Sequence, residues 1–291
     1  MPWVFVLIWS TGFIVARFGM PHAPPFTFLT IRYALSILCF LVWIRLAGAA
    51  WPRGRSQWQH LAVTGVLMHA GYLGGVWAAV KAGIGAGTVA LLVGLQPVLT
   101  AIWLSGTAAR SARSGSRGEV SLATAIGWTQ WAGLVLGFGG LLLVVWRKLG
   151  VGEVTPWNLA LAVLALLSIT TGTLYQKRHV QPCDVRTAST VQLLGAMIVS
   201  LPLAAIETEA VRWNAELIGA MSWSVLGLTL GGSSLLYLLI QRGAATKVTS
   251  LFFLVPPCTA LMAWPLFGET LSPLALAGMA LTAIGVALVV R

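Results

Sequence analysis

Polar and aromatic side chains recur at helical spacing inside otherwise apolar runs of this chain. His69, Leu73, Val76, Trp77 and Val80 fall along one helical face, with Tyr72 beside it and Gly71 and Gly75 on another. The next run carries Gln96 and Trp103, and a later one Ser168, Thr171 and Tyr175. Ser233, Tyr237 and Gln241 stand at i, i+4 and i+8, and Trp9 lies near the start of the chain. These groups hydrogen-bond and stack, which suits reversible capture of a small polar solute at the wall of a cavity. Helix-to-helix hydrogen bonding by Ser and Thr, and interface anchoring by Trp9, are equally economical explanations. Covalent chemistry would need paired Asp, a Ser-His or Ser-Lys constellation, or two His four apart with a Glu. The four histidines, His22, His60, His69 and His179, are scattered, so no enzyme is expected. Neither a metal nor a cofactor is called for, because Cys39, Cys183 and Cys258 show no ligand spacing. Two prolines, Pro97 and Pro257, each remove a backbone donor and free the carbonyl four residues back, at Val93 and Phe253. They are expected to act as a paired hinge, or to form static kinks.

The elements that position these groups must be membrane helices. Of the 291 residues, 58% are hydrophobic and only 9% charged, against about 25% charged in an ordinary soluble domain. Ten apolar runs, near 3–19, 26–46, 59–80, 84–105, 122–146, 156–176, 185–206, 217–240, 244–267 and 272–290, approach the ~20 residues that cross a bilayer. Helices are the expected form, because lipid offers no partner to a free N–H or C=O. The net charge of +11 is spread through short gaps, with no basic stripe or tail, so no nucleic-acid partner is expected. The first run lacks a basic leader segment and is kept as a span.

Charge placement sets the topology. With the N-terminus in the cytoplasm, 12 of the 18 Lys and Arg fall on the inner side and 5 on the outer, leaving Arg32 within a span. This places both termini inside and the acidic residues Glu207, Glu209 and Glu216 outside. Arg17, Lys81 and Lys177 sit at span ends, where snorkelling accommodates them. Arg32 is deeper, and a carbonyl or a helix end is its expected partner. The Arg-, Ser- and Gly-rich gap near 107–121 reads as a cytoplasmic loop.

The halves resemble each other at an offset of 160: Thr11-Gly12 with Thr171-Gly172, Arg17 with Lys177, Thr30 with Thr190, Gly83 with Gly243, Leu91 with Leu251 and Pro97 with Pro257. Past the long loop the offset is 145, and Gly133 and Gly140 match Gly278 and Gly285. Five spans per half force the second half to enter from the opposite side. The expected fold is therefore all-α and integral to the membrane, with ten helices as two inverted five-helix repeats, 1–148 and 149–291, around a central cavity. Secondary transporters commonly have this architecture.

Over nearly its whole length the chain resembles the EamA-type, ten-helix branch of the drug/metabolite transporter superfamily. IWSTGFIVARF (Ile8–Phe18) is similar to that family's first helix and FTFLTIRYAL (Phe26–Leu35) to its second, where an Arg is usual. AGIGAGTVALLVGLQPVLTAIW (Ala82–Trp103) resembles the fourth, with its central Pro. The most specific stretch is LVPPCTALMAWPLFGETLS (Leu254–Ser272), followed by a glycine-spaced last helix. The first half departs from the pattern: Ala109 stands where Glu269 aligns, and Gln96-Pro97 replaces Pro256-Pro257. The resemblance implies a solute exporter with a cavity lined by helices 1, 3, 4, 6, 8 and 9. The aromatic-rich first half is similar to bacterial aromatic amino-acid exporters of the branch. A monomer in the bacterial inner membrane, exporting amino acids by alternating access, is the expectation. Export of lipophilic cations or drugs, drawn by Trp faces, is the alternative. No Asp or Glu lies mid-span, so coupling to a proton through a membrane carboxylate is not expected.

Overall fold

Long apolar runs leave the backbone only one way to satisfy itself in lipid, and the computed structural model is helical throughout its described residues, which are 2–96, 98–100, 102–103, 128–150, 152–235, 254–269 and 272–290. In chain order the helices are α1 (Pro2–Gly19), α2 (Pro25–Ala47), α3 (Arg55–Lys81), α4 (Ala86–Val93), α5 (Trp128–Gly150), α6 (Pro156–His179), α7 (Val185–Ala205), α8 (beginning Ala215–Trp223), α9 (Val255–Phe267) and α10 (Pro273–Val290). Among the described residues, α2, α3, α6 and α7 are long and apolar enough to cross a membrane, and shorter apolar stretches lie in α1, α4, α5, α9 and α10.

The helix ends follow local chemistry. Pro25 opens α2, and Gly48, at φ 58°, closes it in the left-handed region that favours glycine. Thr155 and Asn158 form a reciprocal capping box on α6, and Asn214 caps α8 through the Leu217 N–H at 2.8 Å. Asp184 caps α7 through the Arg186 N–H, and two further bonds from the Arg186 guanidinium, at 2.9 and 2.6 Å, hold the carboxyl below its ordinary value.

Two helices contain a wide i→i+5 turn. In α3 it covers Val66–Gly71, and α8 continues into one over Ser224–Ser233. Each adds a residue to its turn and shifts the faces on either side. The fourth apolar run also breaks. Leu95 N–H bonds to the Leu92 carbonyl, so the chain turns just before the proline at position 97, which lies outside the described residues.

Small residues set the closest helix contacts. α5 and α10 meet through Gly133, Gly137 and Gly140 against Gly278, Thr282 and Gly285, where an added Cβ would strike backbone. Gly71 and Gly75 let α3 approach α6, at Ser168 and at Leu161 and Ala165, as expected for the glycine face. α2 packs on α7 and α8, α3 on α6 and α7, α9 on α4 and α1, α8 on α1, and α4 on α6.

Candidate functional site

The innermost charge of the molecule organises the site. Arg32, on α2, is only 5% exposed. Its Nε and Nη2 both donate to the Thr229 hydroxyl in the wide turn of α8, at 3.2 and 3.1 Å. That hydroxyl in turn donates to the Ser224 carbonyl at 2.9 Å. The partner is thus a hydroxyl, not the carbonyl or helix end expected for Arg32. Its guanidinium lies over the Trp77 ring, 5.4 Å from the centroid.

Around it stand residues of α1, α2 and α3. Tyr33 donates its hydroxyl to the His69 carbonyl at 2.9 Å, and its ring meets the imidazole edge-on at 6.2 Å. Gln192 of α7 approaches the His69 side chain. Tyr72 is 6% exposed and lies beside Trp9. Trp77 is 2% exposed, and its ring faces Phe28 at 6.3 Å. Two donors here have no hydrogen-bond partner: Arg32 Nη1 and Trp77 Nε1. Thr30 Oγ1 and Ser36 Oγ on α2, and Ser224 Oγ and Ser234 Oγ on α8, are likewise buried and unpartnered. Buried polar atoms without partners are uncommon in proteins and mark places where water or a ligand belongs.

The structure therefore gathers Trp9, His69, Tyr72 and Trp77, and adds Arg32, Tyr33, Gln192 and Thr229. Other candidates lie elsewhere. Gln96 donates to Thr173 Oγ1 on α6 at 3.0 Å, beside the break in the fourth run. Thr171 returns its hydroxyl to the Leu167 carbonyl of its own helix at 2.8 Å, and Ser233 bonds the Leu228 carbonyl. Tyr175 pairs with His60 Nδ1 at 2.8 Å and stacks on His179 at 4.4 Å, so two histidines the sequence left scattered share one aromatic cluster. Trp103 is 56% exposed on the outer surface. Pro257 stands in the first turn of α9, and its neighbour Pro256 packs on Gly94 at the break in the fourth run. Tyr237, Gln241 and Pro97 lie outside the described residues. A groove of about 310 Å³ opens between α3, α6 and α7, but its walls are apolar apart from Ser168.

The described carboxylates are engaged at helix starts and in ion pairs. Glu207 accepts from the N–H groups of Phe26 and Thr27 at the start of α2, at 2.9 and 2.7 Å. Glu153 and Glu269 converge on the start of α4: Gly85 N–H reaches Glu153, and Ala86 and Gly87 N–H reach Glu269. Lys81 pairs with Glu209, and His22 with Glu216, each at 2.7 Å.

This arrangement of apolar helices around a polar, aromatic interior agrees with the sequence comparisons. The EamA-like transporter family matches residues 3–107 and 156–291. The chain belongs to that family. It is thus a membrane transporter of the drug/metabolite transporter superfamily. It is 24% identical to an uncharacterized inner membrane transporter of Escherichia coli K12, YedA, over 91% of this chain and 81% of that one. It is 25% identical to an uncharacterized transporter of Bacillus subtilis, YvbV, over 98% and 88%. At 23% identity, over 96% and 90%, it is similar to a Salmonella typhimurium protein named a probable amino-acid metabolite efflux pump. One solved crystal structure superposes with a TM-score of 0.66 at 16% identity, covering 99% of this chain and 94% of that one, a likeness of fold.

Sequence reasoning gave Arg32 a structural role and passed over Gln192 and Thr229. A signal was present. The repeat offset of 160 carries Arg32 onto Gln192 and His69 onto Thr229, and these are the residues that reach across: Arg32 to Thr229, Gln192 to His69.

Proposed function

We propose that this EamA-family transporter exports amino acids, aromatic and other neutral ones, across the bacterial inner membrane by alternating access. Its ten helices would form two inverted repeats, 1–148 and 149–291, with both termini cytoplasmic and a monomer as the working unit. The observation that carries the reading is the buried cluster of Arg32, Tyr33, His69, Tyr72 and Trp77, which holds unpartnered donors deep in an apolar chain. Aromatic walls suit the solute's side chain and the polar groups its ionic end.

The helix pairings support the repeat. Exchanging each helix with the one five places on turns α3–α6 into α8–α1, α3–α7 into α8–α2 and α1–α9 into α6–α4, and all six pairs are in contact. The α2–α7, α4–α9 and α5–α10 pairs map onto themselves. The Pro256–Gly94 contact between the broken fourth run and α9 supports Pro97 and Pro257 as a paired hinge. The name of the Salmonella relative supports the solute class. A lipophilic cation fits less well, because Arg32 already covers the Trp77 face and repels a second positive charge.

Purified protein in liposomes loaded with labelled amino acids tests this. Saturable efflux, weakened in Trp77→Ala, Gln96→Ala and Tyr237→Ala, is the expected result. Repeating it with and without a pH gradient shows whether a proton is coupled. No efflux above empty liposomes, with a cationic dye moving instead, removes the amino-acid reading.

A further inference from the structure

Among the described residues, Arg32 has no counterion. A guanidinium removed from water costs several kcal/mol unless it is neutralised and its donors are engaged. Here Nε and Nη2 share a single hydroxyl, and Nη1 has no partner. Two neighbouring hydroxyls are committed elsewhere: Tyr33 donates to the His69 carbonyl and Thr229 to the Ser224 carbonyl. Among the described residues every carboxylate serves a helix start or an ion pair outside this cluster. A purely structural link between α2 and α8 would not need a full charge, since the equivalent link between α7 and α3 uses the neutral Gln192.

We infer that Arg32 is the solute-binding cation of this transporter, its free Nη1 receiving the carboxylate of the transported solute. The inference rests on the export reading and gives its solute a required acidic end. Arginine is suited to this task, because its fork of donors meets a carboxylate and its charge persists in an apolar setting. Thr229 holds one edge of the fork and so aims the other. Trp77 Nε1, in the plane of the ring that the guanidinium covers, is a second unpartnered donor. The contact neutralises the buried charge only while solute is bound. The loaded and empty forms therefore differ in electrostatic energy at the crossing of α2, α3 and α8.

Three probes separate the charges of the solute: L-phenylalanine, 3-phenylpropionate with the acid alone, and 2-phenylethylamine with the amine alone. Binding to the purified, detergent-solubilised protein is read by quenching of tryptophan fluorescence, and transport by liposome flux. The amino acid and the acid are expected to bind at least tenfold more tightly than the amine. Arg32→Gln is expected to weaken both by at least tenfold, with Arg32→Lys between. Size-exclusion profiles check folding. Should Arg32→Gln not fold, Arg32→Lys and the three-probe comparison on the unaltered protein decide. Amine binding equal to acid binding overturns the inference. Unchanged phenylalanine affinity in folded Arg32→Gln also overturns it while leaving amino-acid export standing. Arg32-dependent binding of the acid without movement of any amino acid supports the carboxylate site and overturns the amino-acid reading. No binding of any probe overturns both.

Discussion

Removing the Glu269 carboxylate tests how the two halves of the chain are joined at the start of α4. Glu269, beyond the end of α9, accepts from Ala86 N–H at 2.7 Å and from Gly87 N–H at 3.3 Å. Glu153 takes the Gly85 N–H at 3.0 Å, so two carboxylates from the second half satisfy the donors that a helix start leaves unpaired. A hydrogen bond to a charged group contributes about 1.5–3 kcal/mol, and a charge at a helix start about 0.3–1 kcal/mol. The 3.3 Å bond is weak, and the nearby Glu153 charge offsets part of the gain. Glu269→Ala should therefore cost about 2–3 kcal/mol. Glu269→Gln keeps an acceptor and loses the charge, and should cost about 1 kcal/mol. Unfolding in mixed detergent micelles titrated with SDS, followed by tryptophan fluorescence, gives the order. Equal stability of the Ala and Gln variants, or either one matching the wild type, would refute the cap.

Further outcomes follow from single contacts. Asp184→Ala removes the cap of α7 and should cost about 1 kcal/mol near neutral pH. Because Arg186 lowers the Asp184 carboxyl in the folded protein, the unfolded chain takes up that proton first. The gap between wild type and Asp184→Ala should therefore hold above the ordinary carboxyl value of 3.8 and close as pH falls below it, in a thermal-unfolding series. Gly285→Ala drives a Cβ into the backbone of Gly133 and Gly137 and should destabilise by about 1–3 kcal/mol. Gly139→Ala, with open space around it, should be neutral or stabilising by up to about 1 kcal/mol in the same assay.

What was legible in the sequence was what a local pattern encodes. Apolar runs located the helices, and the glycine face of α3 was read correctly as a packing surface. The wide turns were not legible. The face listing His69 with Trp77 assumed an unbroken 3.6-residue period, whereas the turn over Val66–Gly71 inserts a residue just before Tyr72. Partners distant in sequence were equally hidden. Glu207 and Glu269 read as loop charges because the helix starts they cap lie about 180 residues away. Tyr175 and His179, four apart, form a visible pair, but nothing local predicts His60 beside them.

The repeat and the site together account for how one chain builds a binding centre with a direction. A sequence copied at an offset of 160 supplies the same crossing twice, from the second helix of one half to the wide turn of the other. One copy ends on Thr229 and the other on His69. With identical residues in both copies the centre would present equal ends, and a solute with one acid group would have two equivalent ways to sit. Arg32 opposite Gln192 removes that degeneracy. One crossing carries a positive charge with a free donor, and the other a neutral amide beside His69. The charged crossing lies over Trp77, and the neutral one lies beside the carbonyl that Tyr33 holds. An acid group is therefore drawn to one side of the centre only. Arg32→Gln would put the same neutral amide at both positions, and the substitution that removes the charge would also remove the preference for orientation that the charge sets. Gln192→Arg, in turn, would put a second buried cation near the first and repel it. The full charge that Arg32 carries and Gln192 lacks, inside a frame whose helix contacts repeat, is what the carboxylate assignment explains.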